Sequence, residues 1–289
     1  MLPPGQPARL ARTECHDIRG ADGRLRRVFL HVPEGPAPEG GWPSLWMTDG
    51  NAVVGTAVEA LRVRALWPEG SNVGPGVLVA LGYPVEAPYD HLLRARDLSP
   101  PPGRLYPPFT EGGPEVRTGG ADAFAEFIEA QVMPFVAARV PLDRARRTLF
   151  GHSFGGLFAL HTLFTRPHAF RNWVAASPSI FWEEGALLTA FERFRAAPPP
   201  GLDAVVHLSA GEWEGAELAP FRRAAADAEA RRAEQARART LEAAREMAGA
   251  LAATPGLAPR FEVFAGETHM SVLPVAVGRA VDLAFALSR

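Results

Sequence analysis

Short apolar runs of strand length alternate with helix-length segments along almost the whole chain, and this alternation most restricts the folds open to it. Arg27-Val28-Phe29-Leu30-His31-Val32 follows an Asp22-Gly23 turn and reads as an arm of a hairpin. Ser44–Thr48 is the next run. Val77–Tyr83 is apolar without interruption, as a strand covered on both faces must be. Thr148–Phe150, Trp173–Ala176, Val205–Leu208 and Phe261–Phe264 continue the series. Helical patterns lie between the later runs, at about 121–139, 154–165, 217–253 and 272–287. Strands alternating with helices predict βαβ units, right-handed crossovers and a mostly parallel central sheet with helices on both faces. A chain of 289 residues, 47% of them hydrophobic, suits one α/β domain over residues 1–289.

Two segments depart from the pattern. Residues 84–120 are rich in Pro and Gly and longer than an ordinary connection, so an irregular segment near the functional site is expected there. Residues 216–253 are charged and helical. A solvated helix with Glu–Arg pairs is the favoured reading, and a partial cap over the site is the alternative.

Several function classes drop out. The formal net charge is -2, which gives no footprint for nucleic acid or an anionic membrane. All thirty basic residues are arginine, which excludes lysine Schiff-base chemistry. Cys15 is the one cysteine, and no histidine pair has metal-ligand spacing, so neither a metal nor another cofactor is expected. Met1–Gln6 lack the basic start and apolar core of a secretion signal, and no apolar run reaches membrane-spanning length; the expected location is the cytoplasm.

The chemistry concentrates at Gly151-His152-Ser153-Phe154-Gly155-Gly156. An apolar strand precedes it and a helix pattern follows. A serine nucleophile must project from such a sharp strand-to-helix turn, and flanking glycines let strand and helix approach closely. The backbone N–H of Phe154 then faces a developing oxyanion. His152 points away round the turn and reads as a packing residue. A serine hydroxyl needs an adjacent base. His269 lies in a loop after the last strand run, before a helix for which Ser271 is the expected cap. His16, His31 and His91 precede the serine, His161 and His168 lie in or after its helix, and His207 falls inside a strand pattern. The loop Ala210-Gly211-Glu212-Trp213-Glu214-Gly215 offers Glu212 and Glu214 as the acid that would orient the imidazole. A Ser–His dyad without an acid is the other arrangement. The turn Thr48-Asp49-Gly50-Asn51 offers the N–H of Asn51 as a second oxyanion donor, or Asn51 as an ordinary helix cap.

Several segments, in order over most of the chain, resemble the esterase D-like family of α/β-hydrolases, and within it the siderophore esterases that open the trilactones of enterobactin, salmochelin or bacillibactin. They are Trp46–Asn51, Val79–Pro84, Arg94–Pro100, Gly151–Gly156, Ala176–Trp182 and Gly266–His269. The resemblance implies an α/β-hydrolase fold, Ser153 as nucleophile, His269 as base and an oxyanion hole at Asn51 and Phe154. It maps the family's acid onto Glu214 rather than Glu212. Phe154 stands where tyrosine is usual, Phe181 where tryptophan is usual, and Met270 where a small residue often follows the histidine.

The expected partner is a small-molecule ester, with a ferric siderophore as the specific candidate. Such an aromatic, anionic ligand calls for arginine and aromatic side chains near the serine. Arg94, Arg96, Trp182 and Trp213 are the candidates, with ion pairing to Asp97 or plain solvent exposure as the competing reading for the arginines. A thioesterase, a feruloyl or acetyl-sugar esterase, an acyltransferase and a non-catalytic binding protein are the alternatives on the same scaffold.

Overall fold

The computed structural model describes residue 5 and residues 8–287. The strands are β1 (Thr13–Arg19), β2 (Leu25–His31), β3 (Trp42–Met47), β4 (Val77–Gly82), β5 (Leu105–Tyr106), β6 (Val116–Arg117), β7 (Leu142–His152), β8 (Asn172–Ala176), β9 (Ala204–Gly211) and β10 (Leu257–Phe264). The helices are α1 (Gly50–Ala65), α2 (Pro68–Ser71), α3 (His91–Asp97), α4 (Ala121–Phe127), α5 (Met133–Ala137), α6 (Phe154–Thr165), α7 (Ala186–Ala196), α8 (Ala228–Ala238), α9 (Thr240–Leu251) and α10 (Val272–Phe285).

Eight strands form one sheet in the order β1-β2-β4-β3-β7-β8-β9-β10, and β5 pairs with β6 separately. β2 runs against both its neighbours, and every other adjacent pair in the large sheet is parallel. Side chains alternate across each strand and feed two cores. Trp46 and Leu149 join one, beneath α4, α6, α7 and α9; Leu45, Met47 and Phe150 join the other, beneath α1 and α10. Burial on both faces explains the uninterrupted apolar runs. The order reverses at β3, which has β4 on one side and β7 on the other. The carboxyl ends of strands at such a switch point form a crevice open to ligands.

Three expectations change in detail. The helix expected over 121–139 is α4, one π-helical turn over Ile128–Val132, and α5. Pro134 has no N–H for the carbonyl four residues back and its ring crowds that carbonyl, so the turn before it widens. The irregular segment 84–120 contains α3, capped by Asp90, whose carboxylate accepts from the N–H groups of Leu92 and Leu93 at 3.1 and 2.9 Å. It also contains the β5–β6 ribbon. The charged stretch 216–253 is helical only from Ala228 onward, as α8 and α9 separated at Arg239, which is left-handed with φ 46°; before it lies one 3-10 turn at Pro220–Arg222. α8 buries only Ala228, while α9 buries Ala243, Ala244, Met247, Ala248 and Leu251 at helical spacing against the sheet.

α3 is tied to β2 by a buried ion pair. Arg26 and Asp97 are 2% and 1% exposed, and the guanidinium grips the carboxylate at 2.7 and 2.9 Å. Asp22 accepts from the same guanidinium at 2.9 Å. In Asp97→Asn, Arg26 loses the charge of its deepest partner while Asp22 remains. The expected loss of unfolding free energy is about 3 kcal/mol, the low end for breaking a buried pair, read from urea denaturation midpoints at unchanged m.

Candidate active site

Ser153 sits between β7 and α6 with φ 59° and ψ −116°, a backbone conformation that side-chain-bearing residues seldom hold. The turn closes because the residues two before and two after Ser153 have no Cβ. A Cβ on Gly151 would lie 2.0 Å from the carbonyl oxygen of Gly155, and one on Gly155 would lie 2.2 Å from Thr48 Oγ1. Ser153 N–H donates to Ala176 O at 3.0 Å and fixes the turn to the end of β8.

The turn from β3 into α1 lies alongside. Met47 pairs with Phe150, and Thr48 N–H donates to Phe150 O at 3.1 Å. The N–H groups of Asn51 and Phe154 therefore belong to the first turns of two neighbouring helices, where a helix has no internal acceptor for them. The side chain of Asn51 does not cap α1. Its amide donates to Tyr83 O and Val85 O at 3.0 and 2.8 Å and its carbonyl accepts from Tyr83 N at 2.9 Å, tying this turn to the end of β4.

His269 stands in the loop after β10. Its Nε2 is 3.0 Å from Ser153 Oγ and its Nδ1 is 2.5 Å from Glu214 Oε2. With Nδ1–H donating to the carboxylate, Nε2 presents a lone pair to the serine hydroxyl. The loop is closed on itself by Thr268 N–H donating to Ser271 Oγ at 2.9 Å and Ser271 Oγ–H donating to Glu267 at 2.5 Å. Ser271 is thus engaged by the loop and caps no N–H of α10, contrary to expectation. His152 also holds this loop: its Nε2–H donates to the carbonyl of His269 at 2.8 Å. Burial, with the neighbouring imidazole of His269, pushes the pKa of His152 down to about 3, so it is a neutral donor.

Glu214 is 4% exposed. Its second oxygen accepts from Ser177 Oγ at 2.5 Å and from Gly211 N–H at 2.7 Å. Burial alone would raise its pKa, but the bonds from His269, Ser177 and Gly211 outweigh burial and hold it below the usual glutamate value. Glu212 turns away: it accepts from Gly266 N–H at 2.6 Å in an exposed position. The two carboxylates diverge because residues 212–214 form a single 3-10 turn, on which neighbours two apart do not share a face.

The binding candidates fall into two groups. Arg94 lies on α3, not in irregular chain, and grips Asp49 through two bonds of 2.9 Å. Its guanidinium also lies 5.2 Å from the ring centroid of Phe154, and Trp182 meets that ring edge-on at 4.5 Å. Arg94 and Trp182 thus flank the residue after Ser153. Arg96 is not brought to this cluster; it pairs with Asp22 at 3.1 Å, because Arg26 occupies Asp97. Trp213 lines a cleft of about 380 Å³ with His269, Glu214, Phe221, Arg222 and Gln235. Arg231, Glu234, Gln235 and Ala238 of α8 line the same cleft.

Sequence reasoning gave no role to Ser177 and Ser179. Ser177 grips Glu214, and Ser179 Oγ is 3.4 Å from Ser153 Oγ. Their signal was two serines directly after a strand that ends beside the elbow. Among the described residues no cluster of His, Cys, Asp and Glu is placed to hold a metal, and no helix is long and apolar enough to cross a membrane. The arrangement can pass a proton from a hydroxyl to an imidazole, the first step of acyl transfer.

The family model described as "Putative esterase" matches residues 94–246. The ferri-bacillibactin esterase BesA of Bacillus subtilis is 34% identical over 267 residues, which cover 91% of this chain and 86% of that protein. The siderophore triacetylfusarinine C esterase of Aspergillus fumigatus is 36% identical over 261 residues, covering 89% and 86%. Among solved structures, siderophore hydrolase EstB from Aspergillus nidulans superposes with a TM-score of 0.84 at 29% identity, covering 98% of each chain. The chain belongs to this esterase family, has the α/β-hydrolase fold and is an ester hydrolase similar to siderophore esterases.

The lowered pKa of Glu214 carries a stability signature. A group whose folded pKa lies below its unfolded value stabilises the fold above the unfolded value and loses that contribution as pH falls through the folded one. Glu214→Gln is therefore expected to be less stable than the parent at pH 7, with the gap constant down to about pH 4.3 and shrinking below it. Denaturant titrations of both proteins across this range provide the check.

Proposed function

We propose that the chain is a serine carboxylesterase that hydrolyses the ester bonds of a siderophore. One observation carries this reading: the hydrogen-bonded line from Ser153 Oγ through His269 to Glu214, with steps of 3.0 and 2.5 Å. Ser153 Oγ attacks the ester carbonyl carbon as its proton passes to His269 Nε2. The carbonyl oxygen takes up negative charge, and the N–H groups of Phe154 and Asn51 are the proposed donors to it. The tetrahedral intermediate then collapses. The alcohol leaves with the proton from His269, and an acyl ester remains on Ser153. His269 next deprotonates a water that attacks this ester, and the carboxylic acid departs as Ser153 recovers its proton. Glu214 stays ionised throughout and stabilises the imidazolium.

Siderophores as substrates are supported by relatives named for ferri-bacillibactin and triacetylfusarinine C, two different compounds. A catecholate trilactone is the specific substrate we propose. It is aromatic, and anionic with iron bound. Arg222 lines the cleft beside Phe221, with its guanidinium 5.6 Å from that ring and no carboxylate partner among the described residues. Arg94, neutralised by Asp49, serves less well as an anion receptor.

Ser153→Ala and His269→Ala are each expected to lower kcat by at least about 10⁴-fold on an enterobactin-type trilactone and on p-nitrophenyl acetate. A fluorophosphonate probe is expected to label the parent and not Ser153→Ala; labelling that persists would overturn the assignment. On a panel, kcat/KM for the trilactone should exceed that for acyl-CoA by about 10²-fold or more. Ser177 is a proposed positioning residue. Ser177→Ala removes a donor from Glu214 and so raises its pKa. The low-pH limb of kcat should move upward, with kcat at neutral pH down about tenfold and KM nearly unchanged. An unmoved limb would reduce Ser177 to a packing role.

A further inference from the structure

At the end of β7 remote from Ser153 lies a groove of about 710 Å³ that brings Arg144, Arg147 and Arg166 together beside Met133, Pro134 and Leu142. Its charges do not balance. Glu129 is the acidic residue of the lining, and it is already bonded to Arg166 at 2.5 Å. Arg144 and Arg147 have no carboxylate partner among the described residues. The Nε of Arg147 is shut off from solvent with no acceptor, and its Nη1 meets only the sulfur of Met133, at 3.6 Å. Burial pulls the pKa of this guanidinium down. A half-buried cation without a partner is destabilising, and most buried polar groups find one.

The backbone also departs from regularity here. The register between β3 and β7 passes from Trp42–Leu142 to Ser44–Arg147, so Pro43 alone faces four residues of β7. On a regular strand, residues three apart point to opposite faces. The bulge brings Arg144 and Arg147 to the same groove.

We propose that this groove is a second, non-catalytic binding site for a small amphiphilic oxyanion, one carboxylate or phosphate head on an apolar body. Arg147 and Arg144 hold the head, since guanidinium forks match both groups. Met133, Pro134 and Leu142 face the body. This assignment does not depend on the role proposed for Ser153.

Calorimetric titration of Ser153→Ala protein with phenyl phosphate, octanoate and inorganic phosphate tests it, and the tighter of the first two identifies the head group. One-to-one binding is expected, weakened at least about tenfold in Arg147→Met and about threefold in Arg144→Gln. Inorganic phosphate, with no apolar body, should bind at least about tenfold more weakly. Arg147→Met replaces an unpartnered charge with an apolar chain, so the ligand-free Tm should be unchanged or higher. No binding of any probe, unchanged affinity in the double variant, or equal affinity for inorganic phosphate would overturn the proposal.

Discussion

Three successive parallel strands end in loops that meet at one buried carboxylate. Ser177 follows β8, Gly211 closes β9, and His269 stands in the loop after β10; each donates to Glu214. An ionised carboxylate out of water is tolerated only when such donors replace its hydration. Each loop is therefore bound to the others through this anion. The orientation of the imidazole follows from it, and so does the direction in which the lone pair of Nε2 points. Ser153 is held from the other side by β7 and by the carbonyl of Ala176.

The sheet explains why these parts converge. Strands β3 and β7 lie next to each other where the winding reverses, and both deliver a helix N-terminus at the same edge. Two first-turn N–H groups thus come from two different crossovers. Close approach at this edge rests on atoms that are missing. The elbow can pass beside Thr48 only because residue 155 has no side chain, and its backbone strain is offset by bonds to β8.

The strand-and-helix alternation and the motif around Ser153 were readable because their periods and turn chemistry are local. The loop position of His269 was readable from topology. The choice between Glu212 and Glu214 was not available from spacing, since it turns on the sense of one 3-10 turn. Resemblance to a family pointed to Glu214, the carboxylate that lies against His269. Arg96 shows the opposite limit. Nothing in its neighbourhood reveals that Asp97 is occupied by Arg26, seventy-one residues away in sequence. The break at Arg239 was equally hidden, because the residues on both sides favour helix and only tertiary packing separates α8 from α9.

The helix that lines the cleft with Trp213 is almost wholly solvated, burying only Ala228, while its successor carries the load of the core. The cleft wall and the core are thereby assigned to different pieces of chain. Residues along the inner edge of α8, apart from Gln235 with its bond to the carbonyl of Trp213, can be exchanged with little thermodynamic penalty, so the cleft can change shape while the scaffold stays the same.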